Sequence, residues 1–356
     1  MRRIDRYLAG EFLRGMLPVL LLLGGLLGFL ALAEELEDVG KGQFTTVTAI
    51  RVMLLTLPRI LIDILPIIAL LAALIGLGRM ANHREIVALR AAGLSSWRIA
   101  APLLLIALAL VVAVFAARTW VIPDWERSAL QLRATVLAET RIEGESTDYW
   151  TRSGERILRV GDVRYGRIPI DLEIYTLGPD RRVRSVIRAA RADVIDDRRW
   201  LLHDVSLREL DRVLSAPIRH DRLELANPLD SERLASLIQP AESLAPRELI
   251  GYIASLEANG LNSHRYRFLL WQALSLPVAL LAMTLLAVPF VLGSPRTVPV
   301  AQRVALGGGI GLLFYLLEQV IGHLAVLYRL DPLLLAMTPD ATILLIALWA
   351  IGRRSR

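Results

Sequence analysis

Six long apolar segments dominate the chain, and they fall into two groups of three. A helix that crosses a bilayer needs about 20 mostly apolar residues, so each segment predicts a membrane span. The stretch between the two groups, about 124–265, is far richer in charged residues and predicts a water-exposed domain. The predicted spans are about 12–33, 52–78, 99–121, 267–292, 304–327 and 333–352.

The polar stretch changes from helical to alternating periodicity near Tyr149. Apolar and polar residues alternate in 156–160, 168–177 and 200–210, which is typical of strands with one buried face. Short strands separated by turn residues predict an antiparallel sandwich or roll. The predicted fold class is an α-helical membrane protein with six transmembrane helices and an antiparallel β domain inserted between spans three and four. The predicted domain boundaries are 1–123, 124–265 and 266–356.

The composition agrees with a membrane protein that carries an exposed domain. Hydrophobic residues make up 54% of the chain and the mean hydropathy is +0.49, which a soluble domain rarely reaches. Charged residues, at 21%, are too many for spans alone. Lys41 is the only lysine, so the chain lacks the Gly-Lys-Ser/Thr loop with which a P-loop NTPase binds phosphates. Since cysteine is absent, disulfides, thiolate metal sites and cysteine nucleophiles are excluded.

Arginines are concentrated in the short segments on one side of the predicted membrane. Short cytoplasmic loops carry an excess of lysine and arginine, so both termini are predicted to be cytoplasmic and the large polar domain to lie outside. The opposite end of the first span carries Glu34, Glu35, Glu37 and Asp38 instead. The arginines that indicate this orientation are Arg2, Arg3, Arg6, Arg14, Arg79, Arg84, Arg90, Arg98, Arg296, Arg303, Arg353, Arg354 and Arg356.

The second span is irregular in its outer half. Pro58 and Pro66 each remove a backbone donor and favour a kink. Arg59 and Asp63 are four residues apart, so they can pair on one helix face. Such a pair near a membrane indicates either a structural ion pair at the interface or a functional site, and both interpretations stay open.

Two glycine pairs predict close helix packing. Gly24 and Gly28 lie in span one, and Gly307 and Gly311 in span five. Small residues four apart let two helices approach closely, which indicates a packed bundle and nothing more specific.

The segment between spans two and three, Ala81 to Ala100, is too long and too patterned for a simple turn. In helical spacing Ile86, Leu89, Leu94 and Trp97 fall along one side, and Gly93 can end a first short helix. A short amphipathic helix of this kind either lies at the lipid interface as an anchor or docks into a groove on a partner. The pattern alone does not decide between these two uses.

Four stretches resemble the YjgP/YjgQ permeases of the lipopolysaccharide exporter. They resemble the LptG-type subunits more than the sister LptF-type subunits. The resemblance covers essentially the whole chain, including the six-span layout with an outer β domain after span three. The stretches are LPRILIDILPIIALLAALIGLGRMANHREIVALRAAGLSSWRI (57–99), VIPDWERSALQLRA (121–134), GYIASLEANGLNSHRYRFLLWQALSLPV (251–278) and VPFVLGSPRTVPVAQRVALGGGIGLLFYLLEQVIG (288–322).

The resemblance implies a non-catalytic permease subunit of an ATP-driven transporter in the bacterial inner membrane. This transporter extracts lipopolysaccharide and passes it through the periplasm toward the outer membrane. The implied partners are an LptF-type permease, an LptB-type ATPase dimer, an LptC-type single-span protein and a periplasmic LptA-type bridge. ATP and magnesium would be bound by the ATPase, and this chain would hold no cofactor, no metal and no nucleic acid. The outer domain would be a β-jelly roll that receives the lipid.

The resemblance also assigns roles to residues. The segment at about 82–96 would be a coupling helix that docks into a groove of the ATPase, with Glu85 in the family's acidic position. Spans one and five would form a lateral gate, which gives Gly24, Gly28, Gly307 and Gly311 a second meaning. The candidate coupling residues are Arg84, Glu85, Ile86, Leu89, Arg90 and Gly93.

The chain departs from the family at the outer end of span one. Related permeases often place lysines there, whereas here Glu34, Glu37 and Asp38 would repel a phosphate. Three explanations stay open: other cations bind the phosphates, divalent ions bridge, or the native lipid carries fewer phosphates. The candidate substrate-binding cations are Lys41, Arg51, Arg59, Arg118 and Arg133.

Three other classes of protein fit the sequence less well. A mechanotransmission permease that moves no substrate usually has four spans, with its domain after the first. A membrane-embedded enzyme needs ionisable clusters inside the spans, and the candidates for one are the Arg59–Asp63 pair and Glu318. A secondary transporter with inverted repeats would not explain the large one-sided domain or the patterned segment after span two.

Overall fold

The computed structural model describes residues 3–137, 149–153, 155–164, 168–180, 182–196, 199–210, 218–226, 244–258, 262–293, 299–328 and 330–354. It divides into two compact units. The first unit comprises Met1–Ala33, Thr56–Ile122 and Ser263–Arg356, and the second comprises Glu34–Leu55 and Pro123–Asn262. The second unit therefore includes the segment that follows span one as well as the predicted outer domain.

The helices of the described chain account for most of its apolar sequence. They are α1 (Arg3–Leu36), α2 (Thr46–Asp63), α3 (Leu65–Asn82), α4 (Glu85–Ala91), α5 (Ser96–Ala116), a π-helical segment (Ala117–Val121), α6 (Ile122–Leu137), α7 (Pro246–Ala258), α8 (His264–Gly293), α9 (Val300–Tyr328) and α10 (Pro332–Arg354).

Within the described residues, six helices are long and apolar enough to cross a membrane, which confirms the predicted number of spans. The second predicted span is not one continuous helix, because α2 ends at Asp63 and α3 begins at Leu65. Pro66 lies in the first turn of α3. A proline is tolerated there because the first N–H groups of a helix have no intrahelical acceptor. The kink predicted at Pro66 is therefore a helix boundary, whereas Pro58 lies within α2.

Helix α3 lies in the core of the first unit, and residues around its whole circumference are buried. It approaches α1 closely at two glycines. A Cβ atom on Gly15 of α1 would lie 2.3 Å from the Ala72 carbonyl oxygen, and one on Gly76 would lie 2.5 Å from the Glu11 carbonyl oxygen. The two helices therefore meet backbone to backbone, an approach that only glycine allows at these positions.

The two predicted glycine pairs also face other helices of the same chain. A Cβ on Gly24 would lie 3.4 Å from Leu61 Cδ2 of α2. A Cβ on Gly307 of α9 would lie only 2.1 Å from Leu74 Cδ1 of α3, and one on Gly311 would lie 2.8 Å from Ile67 Cγ2. The close packing that the spacing indicated is thus present inside the first unit.

The second unit contains a six-stranded antiparallel sheet in which the strands follow one another in chain order. The three predicted strands are confirmed, and an antiparallel β domain lies between spans three and four along the chain, as predicted. One face of the sheet buries a cluster that includes Leu158, Leu172, Trp200 and Leu202. The strands are β1 (Tyr149–Ser153), β2 (Arg156–Arg164), β3 (Ile168–Leu177), β4 (Val183–Asp196), β5 (Arg199–Glu209) and β6 (Ile218–Ala226).

Candidate functional site

The segment between α3 and α5 holds the seven-residue helix α4, which lies inside the predicted range 82–96. Arg84 precedes the helix with a left-handed backbone, φ 62°, which turns the chain sharply away from α3. Gly93, with φ +86°, ends it. The Gly93 N–H donates to the Arg90 carbonyl (2.9 Å) and the Leu94 N–H to the Leu89 carbonyl (3.1 Å), which is a Schellman motif.

Helix α4 buries one face against its own chain. Ile86 is buried and Leu89 is half-buried, and both pack on the core of the first unit. Val87 is 46% exposed and Trp97 is 39% exposed. The prediction that Ile86, Leu89, Leu94 and Trp97 share one side of a helix is therefore wrong for Leu94 and Trp97. The turn at Gly93 ends the helical period, and Trp97 belongs to α5.

Glu85, the candidate acidic coupling residue, is bound within the chain. The Tyr7 hydroxyl of α1 donates a hydrogen bond to Glu85 Oε2 at 2.8 Å. Arg84 and Arg90 are exposed on the same segment. The exposed side chains of this segment thus include cations as well as the apolar residues Val87 and Trp97.

Two further pairs hold the N-terminal part of α1 against its neighbours. Arg98 of α5 donates to Asp5 Oδ2 at 3.1 Å. Arg79 of α3 lies 3.1 Å from Glu11 Oε2 as an ion pair, and Arg14 donates to Glu11 Oε1 at 2.7 Å. The sequence analysis missed these contacts. The sequence does contain a pattern that could have predicted them: two acidic residues, Asp5 and Glu11, lie in an arginine-rich segment. Both are buried in the structure, and buried carboxylates need partners of opposite charge.

In the second unit, two of the candidate cations pair with carboxylates at and just beyond the end of α1. Arg133 donates to Glu35 Oε1 at 2.9 Å and also to Asp38. Lys41 Nζ donates to Asp38 Oδ1 at 2.7 Å. This hydrogen bond from Lys41, together with the charge of Arg133, lowers the pKa of Asp38 below its ordinary value. The repulsion that the sequence suggested is therefore reduced at Asp38, whereas Glu34 and Glu37 stay exposed.

Arg51, another candidate cation of this unit, lies exposed on α2. No ion pair or hydrogen bond of its side chain is present among the described residues. Val47 and Leu54, four positions before and three after it, are exposed apolar residues. One face of α2 thus presents a cation between apolar side chains.

The two remaining candidate cations meet in the first unit. Arg118, in the π-helical segment, donates to Asp63 Oδ1. Arg59 Nε lies 3.9 Å from Asp63 Oδ2. The predicted Arg59–Asp63 pair is therefore part of a cluster with Arg118. Across the described ranges, no group of three or more His, Asp or Glu side chains is arranged to hold a metal ion.

Comparison with known proteins identifies the family to which the chain belongs. The protein family described as lipopolysaccharide export system permease LptF/LptG matches residues 6–353. The chain belongs to this family. The lipopolysaccharide export system permease protein LptG of Escherichia coli (strain K12) is 27% identical over 369 residues, and the match covers 99% of this chain and 98% of that protein. The LptG protein of Haemophilus influenzae is 28% identical over 352 residues, with the same coverage of both chains.

Membership of the LptF/LptG family confirms the resemblance seen in the sequence. The chain is a permease subunit of a lipopolysaccharide export system and a multi-pass inner-membrane protein. The six apolar helices and the β domain between the third and fourth of them supply its membrane-spanning and polar parts.

Proposed function

We propose that the chain is the LptG-type subunit of the exporter and passes the energy of a separate LptB-type ATPase dimer to the extraction of lipopolysaccharide. The proposal rests on α4, a short helix between two spans. Its inner face packs on the core of the first unit, and its Glu85 accepts a hydrogen bond from Tyr7. Its outer face stays exposed and has the mixed apolar and charged character of a docking surface. The sequence has no phosphate-binding P-loop of its own, so ATP and magnesium belong to the partner.

In this function α4 lies on the cytoplasmic side, where both termini also lie. The exposed side chains of Val87 and Trp97 would enter a groove of the ATPase, and Arg84, Glu85 and Arg90 would meet its polar rim. An LptF-type permease would complete the membrane pathway. The β domain would lie in the periplasm as a jelly roll and hand lipid to an LptC-type protein and an LptA-type bridge.

We further propose that Arg51 contacts the anionic headgroup of the lipid. Lys41, Arg59, Arg118 and Arg133 are all engaged with carboxylates of this chain, so binding a phosphate would require them to break these pairs. Arg51 would bind without such competition, and its exposed apolar neighbours suit a ligand that is both charged and acylated. This proposal corresponds to the first of the three explanations for the acidic outer end, in which other cations of the chain bind the phosphates.

The docking proposal is tested by co-purification from detergent-solubilised native membranes. Glu85→Arg should lose the ATPase while retaining the second permease. Tyr7→Phe removes only the internal hydrogen bond and should retain the ATPase, and Glu37→Arg is a matched charge reversal far from α4 in sequence. An ATPase that stays bound to the Glu85→Arg variant would mean that α4 is an interfacial anchor and not a coupling element.

The substrate proposal is tested by reconstituted export of lipopolysaccharide with and without its lipid phosphates. Arg51→Gln should reduce export of the phosphorylated lipid and leave export of the dephosphorylated lipid unchanged. Arg182→Gln, at an exposed arginine in the turn after β3, is the matched control. Equal export of both lipids by the Arg51→Gln variant and the wild type would refute the contact.

A further inference from the structure

Arg303 is a buried arginine in the first turn of α9, with only 2% of its surface exposed. Its Nη1 donates to the Gly78 carbonyl oxygen at 3.5 Å and to Asn82 Oδ1 at 3.4 Å, both in the last turn of α3. Among the described residues, its Nε has no hydrogen-bond partner. In the part of the chain that the structure describes, no carboxylate forms an ion pair with it.

Such a residue is costly for stability. Removing a charged group from water has a large free-energy cost, and two long hydrogen bonds to neutral oxygens offset only part of that cost. The C-terminal end of α3 carries partial negative charge, which offsets a further part. An apolar side chain of the same length would fill the space at lower cost. Stability therefore does not explain the arginine, and its two contacts with α3 have to be considered for function.

Arg303 continues a row of residues along which α9 contacts α3. It lies four positions before Gly307 and eight before Gly311, so the three fall on one helix face. The two glycines meet Leu74 and Ile67 of α3 at distances that leave no room for a side chain. The two helices are therefore packed tightly along their length, and Arg303 connects the end of that contact to the last turn of α3.

The last turn of α3 is also the point at which α4 is attached. Asn82 is the final residue of α3, and only His83 and Arg84 separate it from Glu85. A displacement of α4 therefore reaches Asn82 through two intervening residues, and Arg303 is a polar side chain of α9 that contacts Asn82.

We propose that Arg303 is a positioning residue that transmits displacement of α4 to α9. The inference rests on the proposed function of α4 as the ATPase docking site. Binding of the ATPase moves α4 and the last turn of α3, and the two hydrogen bonds of Arg303 carry that movement to α9. The glycine contacts further along keep the two helices together.

The test compares Arg303→Met, Arg303→Lys and Asn82→Ala in the assembled exporter. Arg303→Met retains the buried volume and removes the charge and both hydrogen bonds. It should retain ATPase binding and ATP hydrolysis, and it should lower the lipopolysaccharide exported per ATP about fivefold or more, the lower range of typical site-to-site couplings. Arg303→Lys should export more lipopolysaccharide per ATP than Arg303→Met, because a lysine can still donate a hydrogen bond to the Gly78 carbonyl. Arg353→Met, at an exposed arginine near the end of α10, is the matched control and should export normally.

A distance measurement follows the movement directly. Because this chain has no cysteine, Leu313→Cys on α9 and Leu345→Cys on α10, both exposed, are its only two labelling sites when the partner subunits are supplied without reactive cysteines. Nucleotide binding by the assembled complex should change the distance between the labels in the wild type and leave it unchanged in Arg303→Met.

Two results would overturn this inference without overturning the proposed function. One is an Arg303→Met or Asn82→Ala variant that exports as much per ATP as the wild type. The other is loss of assembly in both Arg303 variants with normal export by Asn82→Ala, which would make Arg303 a folding residue. If the ATPase does not associate with the wild-type chain at all, the proposed function itself is wrong, and the inference fails with it.

Discussion

Replacement of Gly15 by alanine is expected to force α1 and α3 apart. The new Cβ would lie 2.3 Å from the Ala72 carbonyl oxygen, whereas real Cβ atoms stay beyond 3.0 Å of such neighbours. The helices must therefore separate by at least 0.7 Å, the difference between 3.0 and 2.3 Å. A gap of about 0.5–1 Å loses about a quarter to a half of the dispersion energy of each contact across it. Overpacking of this kind costs about 1–3 kcal/mol.

The same substitution at Gly10 isolates the steric effect. Gly10 also lies on α1, and a Cβ there would meet nothing within 4 Å. Alanine is favoured over glycine in a helix by about 1 kcal/mol, so Gly10→Ala should be neutral or slightly stabilising. Gly15→Ala gains the same propensity, and its steric cost should still exceed it. The difference between the two variants is therefore expected to be about 1–3 kcal/mol.

Unfolding of the purified permease complex in detergent measures this difference. The unfolding midpoint of Gly15→Ala should lie below that of the wild type, and that of Gly10→Ala should equal or exceed it. Gly307→Ala should cost less than Gly15→Ala, because its obstacle is the flexible Leu74 side chain and not backbone. The reasoning is refuted if Gly15→Ala unfolds at or above the midpoint of Gly10→Ala.

Three further predictions concern the contacts of α4, the acidic end of α1 and the β domain. Tyr7→Phe removes the hydroxyl that binds α4. It should leave ATPase binding intact but increase protease cleavage between α3 and α5, and unchanged cleavage would show that the hydrogen bond does not hold α4. The lowered pKa of Asp38 stabilises the fold above the ordinary aspartate value of about 3.9, and this contribution is lost as the pH falls through the lowered pKa. Lys41→Met should therefore weaken the acid dependence of stability, and an unaltered pH profile would contradict the argument. Trp200→Ala should destabilise the sheet by about 3–5 kcal/mol because the side chain is fully buried. Trp150→Ala, at an exposed tryptophan that stacks on a neighbouring ring, should cost less than about 1.5 kcal/mol, and denaturant unfolding of the two variants provides the comparison.

The second span shows how far a local pattern can be read. Its hydrophobicity predicted a helix that crosses the membrane, and Pro58 and Pro66 predicted a kink in that helix. A proline near a helix interior can bend the helix or begin a new one, and the neighbouring packing decides which. Here the chain ends α2 at Asp63 and begins α3 at Leu65, so that α3 can lie in the core and α2 can meet Gly24 of α1.

The candidate cations show the same limit. The sequence offered Arg133 as one of five candidate cations and suggested a role toward the substrate. The structure pairs it with Glu35 and Asp38, which lie 98 and 95 positions earlier. No periodicity connects residues so far apart, because the contact depends on how α6 returns to the end of α1.

The sequence by itself determined which segments cross the membrane, where strands alternate and where a short helix interrupts two spans. These properties follow from the burial preference of each residue in its local repeat, which 20 neighbouring positions are enough to reveal. The tertiary structure alone decided that Gly15 and Gly76 meet backbone to backbone, that Tyr7 binds Glu85 and that Arg303 contacts the last turn of α3. Those contacts depend on the crossing positions of whole helices, and a crossing position is set by the sum of many long-range contacts and not by any single stretch of sequence.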